Sequence, residues 1–308
     1  MKQIQRILVV LDSDDDYSQA GSEMPIELQK ALRLVKDKDA TELHLFCAAF
    51  QEHLNHDTLS WDFDQDQRRV EYCAQLTENV AHLATALRKA GYKSSSDVVW
   101  AYPRYEAVIA KANEINADII VQHTRSYGKL ELHHLTNDSW QLVKHCAIPL
   151  LLVKNNPWHA KPRLIAAVDP VHSHHKPLAL DNLILDAALV MQERLSGELN
   201  VVHAYAEAAR PFAPAGVIRT GHREALDELL SSYSISPEQL HFMDETAIAA
   251  LQQKTRELQT DILVMGAISR SRLSEMLVGS TAEKVLDFLG TDVLVIKPDP
   301  AAAASAKQ

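Results

Sequence analysis

Two stretches of this 308-residue chain, RILVVLD at 6–12 and RLIAAVD at 163–169, are near copies of one another and decide the fold. Each is a short apolar run that ends in an aspartate, and Asp169 lies 157 residues after Asp12. Runs that are apolar at almost every position are typical of parallel strands buried on both faces. The pair therefore predicts two domains that each begin with a buried parallel strand.

Three further pairs follow in the same order. ELHLFCA at 42–48 returns as ELNVVHA at 198–204, ADIIVQHT at 117–124 as TDILVMGA at 260–267, and IPLLLVK at 148–154 as TDVLVIK at 291–297. The offset falls from 157 and 156 residues in the first two pairs to 143 in the last two, so the first copy has a longer middle. Four ordered pairs indicate an internal duplication.

Helical patterns alternate with the strand-like runs in both copies. The clearest spans 68–89, where apolar residues recur at helical spacing before Gly91, and 247–258 is also helical in the second copy. Such alternation predicts an α/β protein of two tandem doubly wound domains, each a five-stranded parallel sheet flanked by helices. We place the domains at 1–156 and 160–298, with 299–308 as a flexible tail.

The charge and the cysteines indicate which partners and which cellular compartment suit this chain. The formal charge is −10, which argues against non-specific binding of nucleic acid. No apolar segment approaches the length of a membrane span. The three cysteines, Cys47, Cys73 and Cys146, have no CxxC spacing and suit a reducing compartment. We therefore predict a soluble, cytoplasmic protein.

The residues just after the strands are the ones to search for a site, because doubly wound sheets bind ligands beyond the carboxyl ends of their strands. After the strand at 261–265 come Gly266 and Ser269, and then Gly279, Ser280 and Thr281 open a helix. A glycine at a strand end lets the backbone approach a ligand or adopt positive φ, and a helix N-terminus offers N–H groups to an anion. Ser280 with Glu283 also fits a capping box that needs no ligand. Both interpretations stay open.

These features resemble the universal stress protein family. The resemblance rests on two such domains, an aspartate after each first strand, and the glycine pattern of the second copy. The stretches SWQLVKHCAIPLLLVKNNPW at 139–158 and VGSTAEKVLDFLGTDVLVIKPD at 278–299 resemble the tandem type of the family. It implies an adenine nucleotide alpha-hydrolase-like fold in each domain and an internal pseudo-dimer, packed edge strand against edge strand. It leaves a homodimer of the whole chain open.

The resemblance also implies ATP binding in members that keep the full glycine motif. Asp169 would then lie at the base and ribose. The other implied contacts, to ribose and phosphates, come from Gly266, Ser269, Gly279, Ser280 and Thr281. This chain departs from the motif, since Ser269 replaces a glycine.

The first copy departs further from the motif. At the 143-residue offset it has His123, Thr136, Asn137 and Asp138 instead of Gly266, Gly279, Ser280 and Thr281. The run Asp14–Asp16 would also repel a triphosphate. We therefore expect ATP in the second domain only.

No catalytic residue and no metal ligand is assigned. His172, His174 and His175 beside Asp169, and Asp12 with Asp14–Asp16, are interpreted as solvated loops. The leading hypothesis is a stress-response protein that senses a small-molecule ligand without catalysis. Three alternatives stay open: a weak ATPase switch, a binder of an apolar or acyl-bearing molecule covered by the aromatic inserts at 51–67 and 205–222, and a scaffold without ligand.

Overall fold

The computed structural model describes residues 3–15, 17, 24–54, 63–124, 136–171, 180–207, 216–267, 282, 284–286 and 290–298. These residues fall into two compact units. One unit holds 3–123 together with 137–142, and the other holds Thr124 and the chain from Val143 onward. The units divide the chain before the strand at 150–153, whereas the sequence repeats divide it after that strand.

The first unit is a fully parallel sheet with helices between its strands. Its strand order is β3-β2-β1-β4, with the pairs β1–β2, β1–β4 and β2–β3 all parallel, as the alternation of strands and helices predicts. The elements are β1 (Arg6–Leu11), α1 (Ile26–Arg33), β2 (Glu42–Ala49), α2 (Phe63–Lys89), β3 (Lys93–Trp100), α3 (Arg104–Glu114), β4 (Ile119–His123) and most of α4 (Asn137–His145).

The second unit repeats this arrangement and adds one antiparallel strand. Its strand order is β5-β10-β9-β6-β7-β8, in which β5 alone runs antiparallel to its neighbour β10. The elements are β5 (Leu150–Val153), β6 (Arg163–Ala167), α5 (Leu180–Leu195), β7 (Glu198–Tyr205), α6 (Val217–Leu230), β8 (Leu240–Asp244), α7 (Ala247–Glu257), β9 (Ile262–Gly266) and β10 (Asp292–Ile296). The last strands of the two sequence repeats thus pair with each other, edge strand against edge strand.

The repeated aspartate that precedes β4 and β9 sets the register of the central strands. Asp118 accepts the backbone N–H groups of Gln5 and Arg6, each at 2.8 Å. Asp261 accepts that of Arg163, also at 2.8 Å. Each carboxylate thereby satisfies N–H groups at the start of the adjacent strand, β1 or β6. The motifs ADII and TDIL therefore encode the same strand clamp twice.

The segment between the repeats is anchored to the second unit. The buried Asp292 carboxylate accepts the backbone N–H of Lys154 at 2.8 Å and the indole N–H of Trp158 at 2.7 Å. Asn156 donates to the carbonyl of Gly290 at 3.1 Å. The polar, proline-bearing stretch after β5 is therefore held against the start of β10.

The predicted α/β class and tandem architecture are confirmed, with corrections at two element boundaries. Helix α2 begins at Phe63, five residues before the predicted start, and α6 begins at Val217. Both helices thus take up part of what the sequence indicated as long inserts. The expected tail at 299–308 lies outside the described residues. None of the described helices is both long and apolar enough to cross a bilayer.

Candidate ligand site at the carboxyl edge

Asp169 follows β6 by two residues and is held in place by side chains from α5 and β7. Its backbone N–H donates to Oδ1 of Asp181 at 2.9 Å. The carbonyl of the preceding residue, Val168, lies 3.0 Å from Nδ1 of His203. Asp181 and His203 are 1% and 0% exposed, whereas Asp169 is half-buried. The aspartate therefore stands on a rigid support at the carboxyl edge of the sheet.

Gly266 ends β9, but its lack of a side chain has a structural reason of its own. A Cβ at this position would lie 2.7 Å from Cδ2 of Leu180 and 3.4 Å from Cδ1 of Ile184, both on α5. Its φ does not lie in the left-handed region, which removes positive φ as the reason for glycine. The close approach of helix α5 therefore explains the glycine, and the contact of Gly266 with a ligand stays a prediction.

Four of the implied ligand contacts, Ser269, Gly279, Ser280 and Thr281, lie outside the described residues. So do Glu283, the histidines at 172, 174 and 175, and the insert residues Trp61 and Phe212. Ala282 and the residues 284–286 are helical, in agreement with the helix predicted to follow Gly279, Ser280 and Thr281.

In the first repeat, an ion pair occupies the corresponding edge. Nε of Arg104, the first residue of α3, donates to Oδ2 of Asp138 at 2.8 Å, and its Nη1 lies 4.0 Å from Oδ1 of Asp12. Burial alone would lower the pKa of Arg104, but the carboxylates of Asp138 and Asp12 outweigh it and raise the pKa. Asp12 is the counterpart of Asp169, and Asp138 is the counterpart of Thr281. This edge thus carries its own cation between two acids.

The second repeat lacks both members of that ion pair. Helices α3 and α7 each have 11 residues and start 143 positions apart, so Ala247 stands where Arg104 stands. Thr281 stands where Asp138 stands. Sequence reasoning missed Arg104, although extending the 143-residue offset from the strands to α3 would have exposed the exchange of arginine for alanine.

The acidic loop after β1 is tied down by three neighbouring side chains. The hydroxyl of Tyr17 donates to the carbonyl of Asp12 at 2.8 Å, and that of Tyr72 to the carbonyl of Ser13 at 2.9 Å. Nε2 of Gln51 donates to Oδ1 of Asp14 at 2.8 Å. Within the part of the chain that the structure describes, no three His, Cys, Asp or Glu side chains group as metal ligands would. The three hydrogen bonds from Tyr17, Tyr72 and Gln51 thus hold the loop in place beside the ion pair.

The fold and the carboxyl edge of the sheet together define a class of protein. Its members are doubly wound α/β proteins with an aspartate after the first strand, at the edge where such sheets bind ligands. The family model of the universal stress protein family matches residues 3–154 and 163–297, and the chain belongs to this family. Relatives named universal stress protein E include those of Photorhabdus laumondii subsp. laumondii and Escherichia coli K12. They are 27% and 25% identical, and in both cases 97% of this chain and 96% of the relative are covered.

Solved structures of similar proteins show the same architecture along the whole chain. A protein of Pseudomonas aeruginosa UCBPP-PA14 assigned to the universal stress proteins superposes with a TM-score of 0.75 at 26% identity, covering 99% of this chain and 98% of that one. A universal stress protein from Archaeoglobus fulgidus DSM 4304 reaches 0.64 at 18% identity, covering 94% and 98%, and supports the fold alone. The predicted family is therefore confirmed for both repeats.

Proposed function

We propose that this chain is a cytoplasmic stress-response protein that senses a ligand without catalysing a reaction, and that its second repeat alone binds ATP. Asp169 would contact the base and ribose. Gly266, Ser269, Gly279, Ser280 and Thr281 would contact the ribose and phosphates, as the family resemblance implies. The bound nucleotide would be the ligand that the protein senses, and the proposal includes no hydrolysis.

The observation that carries the proposal is the difference in charge between the two edges. In the first repeat, Arg104 is already neutralised by Asp138, and Asp12 and Asp14 add further negative charge nearby. Two like charges 4 Å apart repel by about 4 kcal/mol at the effective dielectric constant of a protein surface. A triphosphate does not fit this edge.

The second repeat fits a polyanion better because both positions are uncharged. Ala247 and Thr281 replace the arginine and the aspartate, so the acid that would repel a phosphate is absent from these two positions. A hydroxyl in the first turn of a helix, together with free backbone N–H groups, suits a phosphate. The supported aspartate at position 169 then offers a carboxylate to ribose hydroxyls.

The test is a thermal and calorimetric titration of the purified chain with ATP and Mg²⁺. Binding should stabilise the protein by about 2.7 kcal/mol at a ligand concentration 100-fold above the dissociation constant. Absence of any shift at millimolar ATP would refute the proposal.

A matched pair of variants locates the site. Thr281→Asp copies the acid of the first repeat into the second and should weaken ATP binding at least tenfold. Asn137→Asp adds the same charge next to Asp138 in the first repeat and should leave the affinity unchanged. If the two variants behave alike, the assignment to the second repeat is wrong.

A further inference from the structure

Two histidines of the second repeat form a hydrogen-bonded pair that ends at the support of Asp169. Nε2 of His203, on β7, lies 2.8 Å from Nδ1 of His222, on α6, and the ring centroids are 5.0 Å apart. The other ring nitrogen of His203 reaches the carbonyl of Val168 at 3.0 Å. His203 is fully buried and His222 is half-buried.

The chemistry of the partners fixes the direction of these hydrogen bonds. A carbonyl oxygen can only accept, so Nδ1 of His203 must carry the proton in the bond to Val168. A charged imidazolium would be costly at a fully buried position, so His203 is neutral and its Nε2 accepts. Nδ1 of His222 must then donate. The proton order therefore runs from His222 to His203 to the Val168 carbonyl.

The Val168 carbonyl and the Asp169 N–H are the two ends of one peptide unit. A peptide unit is planar, so holding both ends fixes its orientation. His203 donates to the oxygen end at 3.0 Å, and Asp181 accepts from the nitrogen end at 2.9 Å. Because Asp169 extends from this unit, its direction at the edge of the sheet is set by the two buried side chains.

The first repeat has no histidine at the position that matches His203. The matching segments ELHLFCA and ELNVVHA place Cys47 where His203 stands. Burial raises the pKa of the Cys47 thiol to about 12, and a thiol is a weak donor compared with an imidazole N–H. The histidine support is thus confined to the repeat for which ligand binding is proposed.

We propose that His203, oriented by His222, is a positioning residue that holds Asp169 in its ligand-binding direction. The consequence for affinity rests on the proposed function of the second repeat. A group held in place before binding loses less freedom on binding, so the support raises affinity without touching the ligand.

The first experiment needs no ligand. Nitrogen-15 NMR of the imidazoles should show that Nδ1 of His203 is protonated and Nε2 is not. His203→Cys, which copies the residue of the first repeat, should speed hydrogen exchange of the Asp169 amide at least tenfold. The opposite tautomer, or an unchanged exchange rate, would overturn the proposal.

The second experiment measures the affinity for ATP and Mg²⁺ in a set of variants. His203→Cys should weaken binding about tenfold. His203→Asn should restore most of it, because the amide nitrogen of asparagine stands where Nδ1 stands and donates to the same carbonyl. His222→Phe keeps a stacked ring but removes the donor, and should fall between the two. His241→Asn, in the neighbouring strand β8, is the control and should bind as the wild type does.

The outcomes separate the two proposals. Wild-type protein that shows the expected tautomer and exchange rates but no affinity for ATP would refute the nucleotide proposal and leave the support of Asp169 standing. If His203→Asn binds as weakly as His203→Cys, the histidine acts through packing alone and the positioning role is wrong.

Discussion

Replacing Asp292 by asparagine tests whether one buried carboxylate holds the segment between the repeats. The side chain is 2% exposed and accepts two hydrogen bonds, from the Lys154 backbone N–H at 2.8 Å and from the Trp158 indole N–H at 2.7 Å. An asparagine has only one acceptor oxygen, so one of the two donors must face its NH₂ group. The lost charge-assisted bond and the stranded buried N–H together lower the free energy of unfolding by about 2–4 kcal/mol.

The assay is urea unfolding followed by circular dichroism, reading the transition of the unit that contains β10. A double-mutant cycle with Trp158→Phe isolates the bond, because phenylalanine removes the indole N–H and keeps an aromatic ring. The coupling energy should be about 1–2 kcal/mol, since removing the indole donor costs less once the charged carboxylate that accepts from it is gone. Two substitutions that add within about 0.5 kcal/mol would refute the reasoning, because independent sites behave in that way.

Two further predictions concern packing and pH. Gly266→Ala should lower the free energy of unfolding by about 1–3 kcal/mol, because the new methyl would overlap Leu180. Gly221→Ala, in the exposed part of α6 where nothing lies within 4 Å, should raise it by about 1 kcal/mol in the same urea assay; equal effects would contradict the packing argument. Burial lowers the pKa of Lys297 from 10.5 to about 8, so between these values the unfolded chain binds the extra proton and stability rises with pH. Relative to Lys297→Met, the wild type should gain about 2 kcal/mol of unfolding free energy from pH 8 to pH 10. If the difference between the two proteins does not change with pH, burial does not lower the pKa of Lys297.

The fold could be predicted because its strongest signals are local and occur twice. Continuous apolar runs such as RILVVLD mark buried parallel strands, and the repeat of four runs gives the tandem order. The role of Asp118 and Asp261 as strand clamps was not visible, since their partners lie about a hundred positions away in sequence. The antiparallel pairing of β5 with β10 likewise depends on which edges meet, which hydrophobic periodicity does not encode.

The site could be predicted only in outline. Asp169 and Gly266 do lie at the ends of the neighbouring strands β6 and β9, as the sequence indicated. The ion pair of Arg104 and Asp138 joins residues 34 positions apart on different helices, and no sequence motif indicates it. His203 reads as an ordinary residue of a buried strand. Its one signal is the exchange of cysteine for histidine between two otherwise similar segments.

The pairing of β5 with β10 has a consequence for how the two repeats can change. When two identical chains meet through the same edge, symmetry forces every substitution to occur on both sides. Here both edges belong to one polypeptide, so each half can be altered while the other is kept, as Arg104 and Ala247 show. A covalent link also keeps the partner edges at an effective concentration in the millimolar range, whatever the amount of protein present. Dilution therefore cannot separate the two repeats, even where their sequences have diverged.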